Sequence, residues 1–245
     1  MINGKSVLAV VPARAGSKGL PMKNVRMLHG KPLLAWPIGA ASGSKYVDRI
    51  VMSTDDETYA ELGRQAGAET PFMRPAALAT DEAPSIGFVL HAIDTLEAWG
   101  ARFDYFVLLE PTSPLTEASD VDRALEQLLA RADDADAIVG VTSMGATHPA
   151  FAVRMDGNGL LRPHSAPSFG QVLRRQDVEP LHVLDGSLYI STVEALRRER
   201  GFYHSRTLGY ETPRWKSFEI DDLLDFICVE AILANRGLFK PESDH

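Results

Sequence analysis

The chain has 245 residues, 45% hydrophobic and 24% charged, with 19 glycines and 15 prolines, which fits one large globular domain and excludes low-complexity and collagen-like classes. Its net charge of −8 sets up a field that repels polyphosphate chains and argues against a nucleic-acid partner. The one cysteine, Cys228, permits no internal disulfide; with no secretory leader and no apolar run near the roughly 18 residues of a membrane span, the expected location is cytoplasmic, with no membrane partner.

Apolar, β-branched runs alternate with stretches of helical period, which predicts an α/β fold: a mostly parallel sheet with helices on both faces. Residues 7–11 read as the first strand, a Gly-rich loop follows, and 32–42 read as the first helix with proline in its opening turn. The second strand is expected at 49–53, the second helix at 56–66 with Gly67 as its cap, and a short third strand at 69–72. Residues 85–98 place Ile86, Val89, Leu90, Ile93 and Leu96 at helical spacing, and 105–109 form a continuous apolar strand leading into Pro111-Thr112-Ser113-Pro114. A helix at 120–131 and a strand at 137–141 complete the next unit. The alternation then breaks over about 145–185, where Asp156-Gly157-Asn158-Gly159 predicts a hairpin. This stretch is expected to be a small subdomain inserted in one domain, a lid or a dimer contact. A strand at 187–191, a short helix from Thr192 and a helix over 222–235 resume the pattern, and 240–245 are expected to fray.

Residues 13–24, ARAGSKGLPMKN, follow the first buried strand and concentrate the chemistry of an anion site. Gly16 and Gly19 let the backbone turn its N–H groups toward phosphate oxygens, while Arg14, Lys18 and Lys23 supply positive charge. Neither GxxxxGK[ST] nor GxGxxG occurs there, so the common ATPase loop and the dinucleotide fingerprint are absent. The alternative is a plain surface connection.

ARAGSKGLPMKN, GKPLLAWPIGAA from Gly30, DRIVMSTDD from Asp48, RPAALATDEAPS from Arg74, LLEPTSPL from Leu108 and DGSLYI from Asp185 resemble, in this order, the motifs of the CMP-N-acetylneuraminate synthetases, the N-acylneuraminate cytidylyltransferases. The resemblance runs over nearly the whole chain. It implies a Rossmann-like nucleotidyltransferase fold, usually a homodimer, that joins CTP to a sugar acid. Carried over residue by residue, it implies that Arg14, Gly16, Ser17, Lys18, Lys23 and Asn24 bind the nucleotide and that Arg74 and Ser85 line its pocket. Taken alone, Ser85 reads as a helix cap after Pro84, and Asp55 and Asp56 as turn and cap residues.

Nucleotidyl transfer needs positive charge at the phosphates, and Mg²⁺ held by one or two carboxylates is the expected cofactor. In Phe218-Glu219-Ile220-Asp221-Asp222, Glu219 and Asp221 share a face if the stretch is extended. The family usually has Asp-Ile-Asp here, which makes Asp221 the stronger ligand; otherwise Asp221 and Asp222 cap the last helix. Arg14, Lys23 and Asp221 are the expected catalytic residues, and Cys228 is expected in the core. The sugar side departs from the neuraminate-specific pattern, which has Lys at Phe151, Arg at Val183 and Gln at Glu110. Glu110, Arg175, Gln176 and Asp185 are the expected sugar contacts, with Arg174 and His182 nearby. The partners are then CTP and a nonulosonic acid, legionaminate-like as the alternative to N-acetylneuraminate. Competing readings are a related transferase for 3-deoxy-octulosonate or a sugar phosphate, and a non-catalytic nucleotide-binding module.

Overall fold

The computed structural model describes residues 1–16, 19–164 and 174–239. β1 (Val7–Pro12) is an unbroken apolar run, and its first five side chains are fully buried, as in a strand covered on both faces. Two short strands, β2 (Met27–Leu28) and β3 (Lys31–Pro32), pair antiparallel before α1 (Ala35–Gly43), β4 (Arg49–Ser53) and α2 (Glu57–Ala66). Then come α3 (Ser85–Ala98), β5 (Tyr105–Leu108), α4 (Ala118–Ala130) and β6 (Ala137–Ser143). A separate antiparallel pair, β7 (Val153–Met155) and β8 (Leu161–Pro163), precedes β9 (His182–Thr192), α5 (Val193–Glu199), β10 (Thr207–Glu211) and α6 (Leu223–Ala234).

The main sheet runs β10-β6-β9-β5-β1-β4. All its strands are parallel except β9, which is antiparallel to both β5 and β6. Alternate residues of β1 face opposite sides: Val7, Ala9 and Val11 pack with α1, α2 and α4, while Leu8 and Val10 pack with α3 and α5. A third apolar cluster of Leu20, Leu28, Leu33, Leu115, Ile220, Phe226 and Val229 joins the loop after β1 to α6.

Local chemistry sets the boundaries. Asp56 caps α2 by accepting from Tyr59 N at 3.0 Å, and Gly67, at φ 102°, ends that helix. Asp222 and Asp225 form a capping box at the start of α6, so the capping acid there is Asp222. The predicted hairpin is the β7–β8 turn, where the Asp156 carboxylate accepts from Asn158 N and Leu160 N.

Four expectations are corrected. The first helix starts at Ala35, because Pro32 belongs to β3 and the N–H groups of Leu33 and Leu34 bond back to Arg26 O and Asn24 O. The strand expected at 69–72 is a single parallel bridge, Glu69 to Val51, after which Phe72 turns its ring onto His91 at 5.0 Å. β9 begins inside the stretch expected to lie outside the sheet, and the edge strand β10 was not expected. Residues 240–245 lie outside the described residues. Among the described residues no helix is long and apolar enough to cross a membrane.

Candidate functional site

β4 and β5 flank β1 on opposite sides, so the chain order reverses at β1 and leaves a crevice at the carboxyl ends of the strands, where open α/β sheets bind ligands. A cavity of about 530 Å³ occupies that place, lined by Arg14, Lys23, Asn24, Arg74, Ser85, Glu110 and Asp221 among others. The volume is in the range of small-ligand sites.

The loop after β1 is tied down on both sides. Ala13 N donates to Ser53 O and Ala15 N to the Asp55 carboxylate, each at 3.0 Å. Asn24, buried, donates to Arg14 O at 3.0 Å and accepts from Leu34 N at 2.8 Å, so its side chain and backbone hold the loop closed. A Cβ on Gly19 would strike the backbone oxygen of Asp221, so the loop passes directly over the acidic stretch and only glycine fits. Lys23 Nζ donates to Ile220 O at 2.7 Å and to the Asp221 carboxylate at 3.3 Å. The Arg14 guanidinium pairs with Asp81 and donates to Ala79 O at 3.4 Å.

Arg74 is the buried cation of the site. It donates to Ser53 Oγ at 3.0 Å and Ser53 O at 2.7 Å, and its guanidinium lies 4.3 Å from the centre of the Phe88 ring. Burial lowers it to about 10, which leaves it charged at neutral pH. Ser85 opens α3 behind Pro84, and no side chain caps that helix end. Opposite, burial first and the Glu219 charge second push Glu110 up to about 7. Desolvation and the Asp221 charge also raise Glu219, against a hydrogen bond that its carboxylate accepts from Thr112 Oγ1 at 3.1 Å. Ile220 between them is buried and donates its N–H to Thr112 O at 2.8 Å, which leaves its two acidic neighbours toward solvent.

Glu219 does not line the main cavity. It lines a neighbouring hollow of about 260 Å³ together with Asp185, Thr142, Arg214 and Phe218. Asp185 is buried, and its carboxylate accepts from Ser187 N at 3.0 Å and from the Thr212 hydroxyl.

The structure thus brings Arg14, Lys23, Asn24, Arg74, Ser85, Glu110 and Asp221 to one cavity, and Glu219 and Asp185 to the hollow beside it. Gly16 and the exposed Gln176 line neither, and His182 sits 3.5 Å from Glu211. Ser17, Lys18 and the Arg175 side chain lie outside the described residues. Cys228, expected in the core, is only half-buried in α6 and lines neither space, because the buried face of that helix is formed by Phe226 and Val229. Asp81 and Thr112 were missed as site residues; the acidic pair Asp81-Glu82 between Arg74 and Ser85 in the sequence was the available signal for Asp81.

Residues 8–220 match the family model for cytidylyltransferases. The chain is 34% identical over 224 residues to an N-acylneuraminate cytidylyltransferase of Streptococcus agalactiae serotype V, covering 91% of this chain and 52% of that protein. It is 33% identical over 229 residues to the CMP-N,N'-diacetyllegionaminic acid synthase of Legionella pneumophila, covering 93% of this chain and 96% of that protein. It therefore spans about half the length of the streptococcal relative and nearly all of the Legionella one. Among solved structures, CMP:2-keto-3-deoxy-manno-octonic acid synthetase complexed with CTP is similar in fold, with a TM-score of 0.64, 18% identity, and coverage of 94% of this chain and 99% of that chain.

Proposed function

The chain belongs to the cytidylyltransferase family, and from that premise we propose that it transfers CMP from CTP to the anomeric hydroxyl of a nonulosonic sugar acid and releases pyrophosphate. The observation that carries this reading is the meeting of Arg14, Lys23 and Arg74 in one cavity, facing Asp221, at the point where the chain order of the sheet reverses.

In this reading Arg14 and Lys23 hold the triphosphate, and Asn24 keeps the loop in the shape that presents its N–H groups. Arg74, already desolvated and held by Ser53, offers a fixed donor to the nucleotide, and the uncapped first turn of α3 at Ser85 offers backbone N–H groups. The acceptor hydroxyl attacks the α-phosphorus in line, and pyrophosphate leaves along the basic loop. Position and fixed charge supply the acceleration, with no covalent intermediate on the protein.

The donor set fits Mg²⁺. Asp221 is exposed on the cavity wall with Glu219 two residues away, and among the described residues no group of three or more His, Cys, Asp or Glu could cage a metal. One or two carboxylates with the remaining positions left to phosphate oxygens and water is the Mg²⁺ pattern. Asp221, assisted by Glu219, would hold the ion, which when bound neutralises charge on the triphosphate.

We assign the active form as a homodimer, supported by exposed apolar side chains on the β7–β8 unit, Val153, Met155, Leu160 and Leu161, and on α6, Leu223, Leu224 and Ile227. Light scattering should give twice the chain mass; a monomer at micromolar concentration refutes this assignment. The reaction is tested by pyrophosphate release with CTP and Mg²⁺ against N-acetylneuraminate, legionaminate, pseudaminate and 3-deoxy-octulosonate, with ATP, GTP and UTP as controls. Turnover of one nonulosonate with CTP is expected. Silence on every acid despite binding of CTP would overturn the reading.

A further inference from the structure

We propose that Lys216, which lines neither space, is a positioning residue for the transfer: it keeps the acidic stretch 219–221 against the loop that follows β5, so that Asp221 still faces the nucleotide once Lys23 has turned to the phosphates. This rests on the reaction and on the roles of Lys23 and Asp221 proposed above. Asp221 has 78% of its side chain exposed, so packing does not fix its carboxylate; its place is set by the backbone that carries it. That backbone belongs to no helix or strand, because residues 217–222 run between the 3-10 turn Arg214–Lys216 and α6.

The stretch is tied to two loops. Ile220 N donates to Thr112 O at 2.8 Å and Thr112 Oγ1 donates to Glu219 at 3.1 Å, while Asp221 N donates to the Asp225 carboxylate at 2.9 Å. Lys23, from the basic loop, adds its bonds to Ile220 O and to Asp221, and these are given up when its ammonium group goes to a phosphate. From then on the stretch depends on Thr112, which itself lies in a loop, between β5 and α4.

Lys216 pins that loop and the stretch to one point. Its side chain is 8% exposed, and its Nζ donates to Glu117 at 2.6 Å and to Asp120 at 2.7 Å, the capping pair that begins α4 directly after the loop. Tyr210 Oη, from β10, donates to the same Asp120 at 3.0 Å. Arg236, just past α6, pairs with Glu117, so the segment that carries the acids closes onto the start of α4 at both of its ends. An ammonium group bonded to two carboxylates away from water holds its partners firmly. Without it the two carboxylates, that of Asp120 buried, would face each other, and their repulsion would drive the turn off α4 and the stretch away from Thr112.

The test compares wild type with Lys216→Gln, Lys216→Arg and Tyr210→Phe, the last of which takes a bond from Asp120 and leaves the tie to the stretch in place. Pyrophosphate release is followed with whichever acid the wild type turns over. Lys216→Gln should raise the Mg²⁺ concentration for half-maximal rate about tenfold, the low end for a residue acting behind a metal ligand, with KM for CTP at saturating Mg²⁺ within about twofold of wild type. Lys216→Arg should recover part of the loss, and Tyr210→Phe should stay at wild type. Hydrogen exchange over 217–222 in CTP and EDTA gives a readout free of metal and turnover, and it should be about tenfold faster in Lys216→Gln and unchanged in Tyr210→Phe. If Lys216→Gln does not fold, Glu117→Gln, which leaves Asp120 as the partner, should show both changes in smaller measure. Wild-type values in a folded Lys216→Gln, or in Glu117→Gln where that variant replaces it, overturn this role alone, as do equal changes in Tyr210→Phe. A wild type inactive on every acid overturns the proposed reaction and this role with it.

Discussion

Replacing Glu110 by glutamine should flatten part of the pH dependence of stability. The Glu110 carboxyl has an ordinary value of 4.5 and is pushed up to about 7, first by burial and then by the Glu219 charge. The folded chain therefore binds this proton more tightly than the unfolded chain, and its stability falls as pH rises from about 4.5 to about 7, then stays at the lower level. At about 1.4 kcal/mol per pH unit the full loss is about 3 kcal/mol, and because Glu110 is only half-buried on the wall of an open cavity, screening by water reduces it toward about 2 kcal/mol. Glu110→Gln keeps the shape and removes the ionisation. The variant should match wild type near pH 4 and melt about 4–8 °C higher at pH 8, at about 2–4 °C per kcal/mol for a chain of this size. Thermal melts of both proteins in EDTA from pH 4 to 8.5 decide it. Melting curves that stay parallel across the whole range would refute the argument that burial and like charge disfavour this carboxylate.

Lys23→Met should lower kcat/KM with CTP by about two to three orders of magnitude, the usual loss for a preorganised charge on a reacting group; near wild-type turnover by pyrophosphate release, with circular dichroism confirming the fold, would remove Lys23 from the reaction. Gly19→Ala meets backbone rather than a flexible side chain, so it should cost about 1–3 kcal/mol in urea unfolding and weaken CTP binding in calorimetry. Wild-type values for both would show that the loop can pass the acidic stretch at a greater distance.

The parts of the fold legible in the sequence are those where burial leaves a uniform signature. β1 and β5 are continuous apolar runs covered on both faces, and their positions follow from that alone. β10 was missed because an edge strand with Gly209 at its centre carries little of that signal; the Val141 side chain, 3.1 Å from where a Cβ would sit, leaves little room for a larger residue there. Residues 32–34 look helical by composition, yet the backbone bonds that claim Leu33 and Leu34 come from the loop that builds the site. In the site, Arg14, Lys23 and Asn24 were legible because one loop carries them all. Asp81 and Thr112 depend on partners from distant segments, Arg14 and Glu219, that no local pattern announces. Asp185 shows the opposite case: its motif suggested a ligand contact, while its carboxylate is already engaged by Ser187 and Thr212.

The bond from Lys23 to Ile220 O spans 197 residues, and the contact of Gly19 with the Asp221 backbone joins the same two segments. A ribosome makes the basic loop 197 residues before the acidic stretch. Every strand of the central sheet can thus emerge, and the sheet can assemble, before the cavity acquires its floor. Chains that stop short of the acidic stretch carry Lys23 without its partners Ile220 and Asp221, so the cavity closes only after the sheet that supports it has been made.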